Sequence, residues 1–119
     1  MAKRTDANKR AIVAALRKAG YSVQSIHTIG QGAPDVIVGG PIPCPHCGAA
    51  FPQNRLIEIK NNNLPPSRRY LTPDEQAWHK NWRGQVSIVE SADDALSVLS
   101  NGRIEHSRQS AFTGAGGTP

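Results

Sequence analysis

Two short apolar runs that carry charged residues restrict the possible folds of this chain more than any other feature. Residues 32–39 read Gly-Ala-Pro-Asp-Val-Ile-Val-Gly, and residues 56–60 read Leu-Ile-Glu-Ile-Lys. Apolar runs of this length are typical of buried strands. Asp35 lies near the start of the first run. Glu58 and Lys60 are two residues apart in the second, so in a strand both leave by one face, and the neighbouring isoleucines leave by the other and can anchor a core.

Carboxylates that converge on one sheet face predict a metal site. Asp35 and Glu58 are costly to bury together unless a cation pairs them. Phosphodiester hydrolysis uses a hard metal held by carboxylate oxygens, because it polarises the phosphate and makes a bound water more acidic. Lys60 would stabilise the charge that develops in the transition state. In the alternative interpretation, Glu58 and Lys60 are solvent-facing residues of an edge strand. The Pro-Asp turn and the helix over residues 73–83 favour the metal site.

Length and charge suggest the type of partner. A chain of 119 residues predicts one domain with one modest core. Its net charge of +5 and its isoelectric point near 9.7 suit an anionic partner, and nucleic acid is the usual one. Residues 1–20 contain six Lys or Arg against one Asp, and residues 55–83 contain six against three acids. A generally basic, solvated surface would need no ligand and is the alternative.

The sequence also suggests a compartment. No apolar run approaches the length of about 18 residues that a membrane span needs, so we expect none. The N-terminus is basic but lacks a long apolar segment, so we expect no signal peptide. Two cysteines in one Cys-x-x-Cys do not form a disulfide framework. We therefore expect a reducing cytoplasm.

Capping residues and periodicity predict alternating helices and strands. Asp6 can cap a first helix that ends at Gly20, and Ser91 can cap a last one. The predicted elements are helices over residues 6–19 and 92–99 and strands over residues 21–29, 32–39, 56–60 and 85–89. The Gly39-Gly40-Pro41 sequence should end the second strand. Residues 103–119 are rich in Gly, Ser and Thr and predict a disordered tail.

The clearest local signal is the start of a helix over residues 73–83. Thr72 and Glu75 match a capping box, and a proline occupies the first helical position. Trp78 and Trp82 are four residues apart and share a face, so we expect both to pack in the core.

Basic and polar residues near these elements are candidate DNA contacts. They belong to the first helix, to the loop after the third strand, and to a polar stripe of the Trp-containing helix that includes Gln76 and would border the active site. The candidates are Lys9, Arg10, Arg68, Arg69, Tyr70, His79 and Arg83. Arginine forks beside an aromatic suit phosphate contact or base stacking. Ordinary solvated side chains are the alternative for each group.

A segment over residues 41–54 separates the two strands that carry the carboxylates, and we interpret it as an insert. Its Cys44-Pro-His-Cys47-Gly sequence has the form of a zinc knuckle, in which glycine lets the backbone turn around the metal. A structural zinc site needs four ligands. The missing ones would come from a second copy of the chain or from His27, His46, His79 or His106. A degenerate knuckle or two reduced surface thiols are the alternatives.

The motifs, taken in order, resemble a known nuclease superfamily. Gly-Ala-Pro-Asp, Ile-Glu-Ile-Lys and Leu-Thr-Pro-Asp-Glu-Gln-Ala-Trp-His are similar to those of PD-(D/E)xK nucleases. The resemblance is to the small phage and bacterial branch of virus-type replication–repair nucleases (VRR-Nuc) and Holliday-junction-resolvase-like proteins. It implies an α/β, restriction-endonuclease-like αβββαβ core, a mixed sheet flanked by helices, over residues 1–102, with the small Cys-containing insert inside it.

The resemblance also implies an activity. Such proteins cleave DNA with Mg²⁺ or Mn²⁺, and stand-alone members often act as homodimers on branched DNA in a bacterial or phage-infected cytoplasm. The motif carries over to Asp35 and Glu58 as metal ligands, to the backbone carbonyl of Ile59 as a further ligand, and to Lys60 as a catalytic residue. It also carries over to Gln76 as a residue near the metal.

One departure from the family pattern leaves the number of metals open. Many relatives have a glutamate on the first helix that faces the metals, whereas Asp6 is the only acid near that position here, and it also has a predicted cap role.

Other functions remain open at this point. They are a flap or nicking nuclease on the same site, a non-catalytic DNA-binding module with a zinc knuckle, and a zinc-mediated interaction protein.

Overall fold

The computed structural model describes residues 4–60 and 71–100. Arg68, Arg69, Tyr70 and the predicted tail over residues 103–119 lie outside them. In chain order the elements are α1 (Arg4–Lys18), β1 (Ser22–Ser25), a 3₁₀ helix (His27–Ile29), β2 (Val36–Pro43), β3 (Ala50–Ile59), α2 (Pro73–Asn81), β4 (Ser87–Val89) and α3 (Ala92–Ser100).

The four strands form one mixed sheet in the order β1-β2-β3-β4. The β1–β2 and β2–β3 pairs are antiparallel, and the β3–β4 pair is parallel. Parallel neighbours need a crossover connection, and α2 lies in the segment that joins β3 to β4. The predicted α/β fold, with an αβββαβ core and a mixed sheet flanked by helices, is confirmed.

The hydrophobic core lies between the sheet and the pair α1 and α3. Its fully or almost fully buried side chains come from both helices and from three strands: Ile12, Leu16, Val36, Val38, Ile42, Ile57, Val89, Ala95, Val98 and Leu99. Burial of one such large aliphatic side chain contributes about 1.5–3 kcal/mol. These contacts cover the face of β3 that carries Ile57 and the buried Arg55, so Glu58 leaves by the opposite face.

The opposite face of β3 meets α2. Thr72 caps this helix and forms a capping box with Glu75, as predicted: the Thr72 hydroxyl accepts the Glu75 N–H, and the Glu75 carboxylate accepts the Thr72 N–H. The helix ends at Asn81, two residues before the predicted end. The Glu75 carboxylate also bonds the Lys60 ammonium at the end of β3. The first turn of α2 is therefore held against the charged face of the sheet.

β2 and β3 form a long hairpin whose length corrects the predicted insert. Eight residue pairs run from Val36–Ile57 to Pro43–Ala50, so most of residues 41–54 are strand, and only residues 44–49 form the connection. Strand β2 continues past its two central glycines because both pair with β3. Gly40 lies against the Tyr21 ring, where a Cβ would come within 2.7 Å of the ring carbon Cδ1, so the absence of a side chain is needed there.

Other boundaries also differ from prediction. Helix α1 starts at Arg4, so Asp6 lies inside it and is not its N-cap residue. Strand β1 ends at Ser25, and the 3₁₀ helix replaces the end of the predicted strand. Strand β4 begins at Ser87, two residues late, and α3 ends at Ser100, one residue beyond its prediction. In the described part of the chain no helix is both long and apolar enough to cross a bilayer.

Trp78 of α2 and Trp82, the C-cap residue that follows it, are not core residues, contrary to the prediction. Their rings stack on each other with centroids 4.6 Å apart and planes 17° apart, and Trp82 is 44% exposed. His79 instead is the buried residue of this helix. His79 and Glu75 are four residues apart and lie on the same side of the helix, which is the side that faces the sheet.

Candidate active site

A cavity of about 250 Å³ lies at the end of the hairpin that is remote from the cysteines. Four elements and two loops supply its lining residues: Lys9, His27, Asp35, Glu58, Ile59, Lys60 and Glu75. The hairpin register explains why two of the carboxylates meet there. Val36 pairs with Ile57, so Asp35 and Glu58 are the next facing pair of this antiparallel ladder.

Glu58 is buried in an unusual electrostatic environment. Its side chain is 3% exposed, and its Oε1 atom has no hydrogen-bond partner among the described residues. Burial raises the pKa of Glu58 to about 9, with further contributions from the charges of Asp35 and Glu75, although Lys60 opposes the shift. In the absence of a cation, burial therefore favours the protonated form of this carboxyl group.

The Lys60 ammonium lies between two carboxylates. Its Nζ atom is 2.6 Å from Glu75 Oε1 and 3.5 Å from Glu58 Oε2. Burial alone would lower the pKa of Lys60, but the hydrogen bond to Glu75 and the charges of both glutamates raise it. The backbone around Lys60 is fixed as well, because its N–H donates to Val89 at 2.9 Å and its carbonyl accepts the Asn8 amide at 3.0 Å.

Asp35 is fixed through both its backbone and its side chain. Its Oδ2 accepts the Ile59 N–H at 2.7 Å, and its carbonyl accepts the Ile26 N–H at 2.9 Å. The preceding turn packs on α2 so closely that a Cβ on Gly32 would overlap the backbone carbonyl of Asp74. Gly32 also has a φ of +82°, which other residues rarely adopt. The predicted Gly-rich turn thus places Asp35 between β3 and the start of α2.

Glu75 lines the cavity although the sequence predicted only a capping role for it. Its Oε1 accepts the Thr72 N–H at 2.9 Å in addition to the Lys60 ammonium. Burial would raise the pKa of Glu75, but the hydrogen bonds from Lys60 and Thr72 lower it, so this carboxylate is charged. The capping box accounted for Glu75 in the sequence, and no separate signal indicated its second contact.

Gln76 does not take the position that the resemblance implied. It is exposed, its side-chain amide donates to the Leu71 carbonyl at 2.9 Å, and it is not among the cavity-lining residues. Successive residues of a helix point about 100° apart. Because Glu75 faces the cavity, the side chain of the next residue turns away from it.

The predicted DNA contacts fall into different environments. Lys9 lines the cavity and donates to the Ser25 hydroxyl at 3.0 Å. Arg10 and Arg83 are exposed, the latter beyond the end of α2. His79 is only 3% exposed, so it has no surface for a DNA contact, and burial lowers its pKa. His27, which sequence reasoning considered only as a zinc ligand, also lines the cavity.

The donor set suits one hard cation more than a soft one. The cavity is lined by two facing carboxylates, Asp35 and Glu58. Ile59, which lies between Glu58 and Lys60 in the chain, also lines it. Oxygen donors of this kind suit Mg²⁺ and Mn²⁺. A bound cation would supply a partner for the buried Oε1 atom of Glu58, which has no hydrogen-bond partner among the described residues. Nowhere in residues 4–60 and 71–100 do three His, Cys, Asp or Glu side chains gather closely enough to hold one metal ion, so a backbone carbonyl or water would complete the set.

The Cys-x-x-Cys sequence lies far from this cavity. Cys44 and Cys47 are in the connection at the opposite end of the β2–β3 hairpin, and both are free thiols. With strands that rise about 3.3 Å per residue, the connection is roughly 25 Å from Asp35. These cysteines therefore take no part in the candidate active site.

No protein-family model matches the chain, and no curated protein matches it. A solved structure described as a VRR_NUC domain superposes on it with a TM-score of 0.54 and 20% sequence identity. The likeness covers 82% of this chain and 96% of the solved one. The chain therefore has the fold of a VRR_NUC domain.

Proposed function

We propose that this chain is a Mg²⁺- or Mn²⁺-dependent endonuclease of the PD-(D/E)xK type that hydrolyses phosphodiester bonds of DNA. The observation that carries the proposal is the meeting of Asp35, Glu58 and Lys60 at one cavity. Its fold likeness to a VRR_NUC domain and its basic charge support the same conclusion. Carboxylates at a phosphate-binding surface would repel the substrate unless a cation lay between them.

The metal would be held by Asp35, Glu58 and the backbone carbonyl of Ile59. When bound, the ion would polarise the scissile phosphate and make a water molecule more acidic. Binding would require Glu58 to lose the proton that burial and neighbouring charges favour. The third carboxylate of the cavity, Glu75, already bonds Lys60 and Thr72, which favours one metal over two.

Lys60 would stabilise the negative charge that builds on the phosphate during attack. Its ammonium is held in place by Glu75, and its backbone by Asn8 and Val89. We assign Glu75 the role of a positioning residue, because it acts on the reacting phosphate through Lys60. Lys9, at the rim of the same cavity, would add a phosphate contact that carries no sequence preference.

We extend the proposal to branched DNA and to a homodimer, as the resemblance to Holliday-junction resolvases implies. A flap or nicking nuclease would use the same residues and differ only in substrate shape. A non-catalytic DNA-binding module is the other alternative. The buried, unpartnered carboxyl oxygen of Glu58 is unfavourable in such a module, because no cation would compensate it.

The test is cleavage of a labelled four-way junction beside a flap, a linear duplex and a single strand of matched sequence. Each substrate is incubated with Mg²⁺, Mn²⁺ or EDTA. We expect metal-dependent, paired, symmetrical cuts on the junction. Metal-dependent cutting of all four substrates would support the nuclease proposal and contradict the proposed selectivity for junctions. Binding without cutting under every metal would favour the DNA-binding module.

A second test compares the roles of Glu75 and Gln76 in cleavage. Glu75→Gln removes the closest anion of Lys60 and should lower cleavage by about 10- to 100-fold, the usual range for residues that orient a metal or its neighbours. Gln76→Ala should stay close to the parent protein, because this exposed side chain bonds only its own helix start. The loss in Glu75→Gln should appear in kcat with little change in KM. A larger loss in Gln76→Ala would restore the assignment implied by the resemblance.

A further inference from the structure

The connection between β2 and β3 has the backbone of a metal-binding turn. The Cys44 N–H donates to the Ala49 carbonyl at 2.9 Å, and the Gly48 N–H donates to the Cys44 carbonyl at 2.9 Å. The His46 N–H points at the Cys44 sulfur at 3.4 Å. Gly48 has a φ of +77°, a conformation that residues with a side chain rarely adopt. The turn is thus closed around the sulfur of Cys44.

The same turn leaves two cysteine sulfurs free to bind a metal. Cys44 and Cys47 are three residues apart, both are free thiols, and Cys47 is exposed. Structural zinc sites use pairs of cysteines at this spacing. Two cysteines in one short turn, with the His46 N–H aimed at one of the sulfurs, form half of a tetrahedral site.

The described part of the chain does not supply the other half. A structural zinc ion needs four ligands, and no third His, Cys, Asp or Glu gathers with this pair in residues 4–60 and 71–100. His27 lines the cavity at the other end of the hairpin, and His79 is buried beneath α2. The site is therefore incomplete within those residues.

The hairpin end is accessible to a second copy of the chain. Residues 45–52 are all exposed, and Phe51, beside the turn, is 46% exposed. Phe51 pairs with Ile42 on the neighbouring strand, so it lies at the end of the β2–β3 hairpin that carries the cysteines. A second copy of the chain could contact this exposed aromatic ring. Its own two cysteines could supply the two missing ligands.

We propose that two copies of this chain share one Zn²⁺ through Cys44 and Cys47 of each copy. Four thiolates around one ion complete the tetrahedral set that zinc requires. The two Phe51 rings would then be covered as the hairpin ends approach each other. This site lies roughly 25 Å from Asp35 along the hairpin, so it joins two chains without entering either cavity.

The test uses the full chain and measures zinc content and mass together. The protein is purified with Zn²⁺, dialysed, and analysed by metal determination and by light scattering with and without a strong chelator. We expect about 0.5 zinc per chain, as four ligands from two chains require, and a dimer that the chelator converts to monomer. Cobalt in place of zinc should give the absorption of a tetrahedral site with four thiolates.

Matched variants distinguish this site from its alternatives. Cys44→Ser and Cys47→Ser should each lose the zinc and the zinc-dependent dimer, whereas His46→Ala should keep both. One zinc per monomer, or loss of zinc in His46→Ala, would overturn the proposal in favour of ligands within one chain. A chain that binds no zinc, or a dimer that resists the chelator and both cysteine substitutions, would also overturn it. Cleavage assays report on the distant cavity, so failure here leaves the nuclease proposal standing.

Discussion

Asp35→Asn and Glu58→Gln should each lower metal-dependent cleavage by on the order of a thousandfold or more. Both changes keep the size of the side chain and remove a carboxylate that would hold the cation. Single-turnover cleavage of the preferred substrate at saturating Mg²⁺ measures the effect. Binding of labelled DNA in EDTA should be retained, because each change removes a negative charge that would repel the phosphates.

The matched control is Asp93→Asn. This aspartate is exposed on α3 and does not line the cavity, so removal of its charge should leave the cleavage rate unchanged. Lys60→Ala should also abolish cleavage, while Mg²⁺ binding followed by calorimetry persists. Cleavage at the parental rate by any two of the three site variants would refute the assignment of the site.

The second large effect is on stability. In EDTA the free energy of unfolding should fall as the pH rises from about 5 to about 9. Glu58 keeps its proton in the folded chain up to a pKa of about 9, whereas the unfolded chain loses it near the ordinary value of 4.5. Between these values the unfolded state binds fewer protons, so a rise in pH favours unfolding by up to about 1.4 kcal/mol per pH unit.

Urea denaturation at several pH values measures this slope. Glu58→Gln should remove most of it, because the amide does not titrate, and should make the metal-free protein more stable than the parent above neutral pH. Saturating Mg²⁺ should flatten the slope in the parent and leave the variant unchanged. An identical pH dependence in the parent and in Glu58→Gln would show that Glu58 is ionised in the folded chain.

Sequence patterns were sufficient where the structure depends on neighbours in the chain. The alternation around Glu58 and Lys60 follows from the period of a strand, and their shared face was predicted correctly. The capping box at Thr72 also depends only on residues within one helical turn. Both features are local, so no knowledge of the rest of the fold was needed.

The errors arose where distant segments decide the outcome. Gly40 and Pro41 are usual strand breakers, but pairing with β3 keeps β2 continuous to Pro43, and the Tyr21 ring packs against Gly40. Tryptophan is expected inside, yet the packing of α2 on the sheet buries His79 and leaves Trp82 half exposed. The choice between Glu75 and Gln76 likewise depends on how α2 is rotated on the sheet.

The long β2–β3 hairpin has a consequence for how the chain can vary. Opposite residues of a ladder are fixed in pairs, and a shift of one residue in one strand exchanges its two faces. A single-residue insertion near the turn, if it moved the register, would turn Glu58 towards the aliphatic core and Ile57 towards the cavity. The length of the cysteine-bearing turn thus sets the register that positions the site at the far end of the same hairpin. Changes in its length are compatible with that site only when they leave Val36 opposite Ile57.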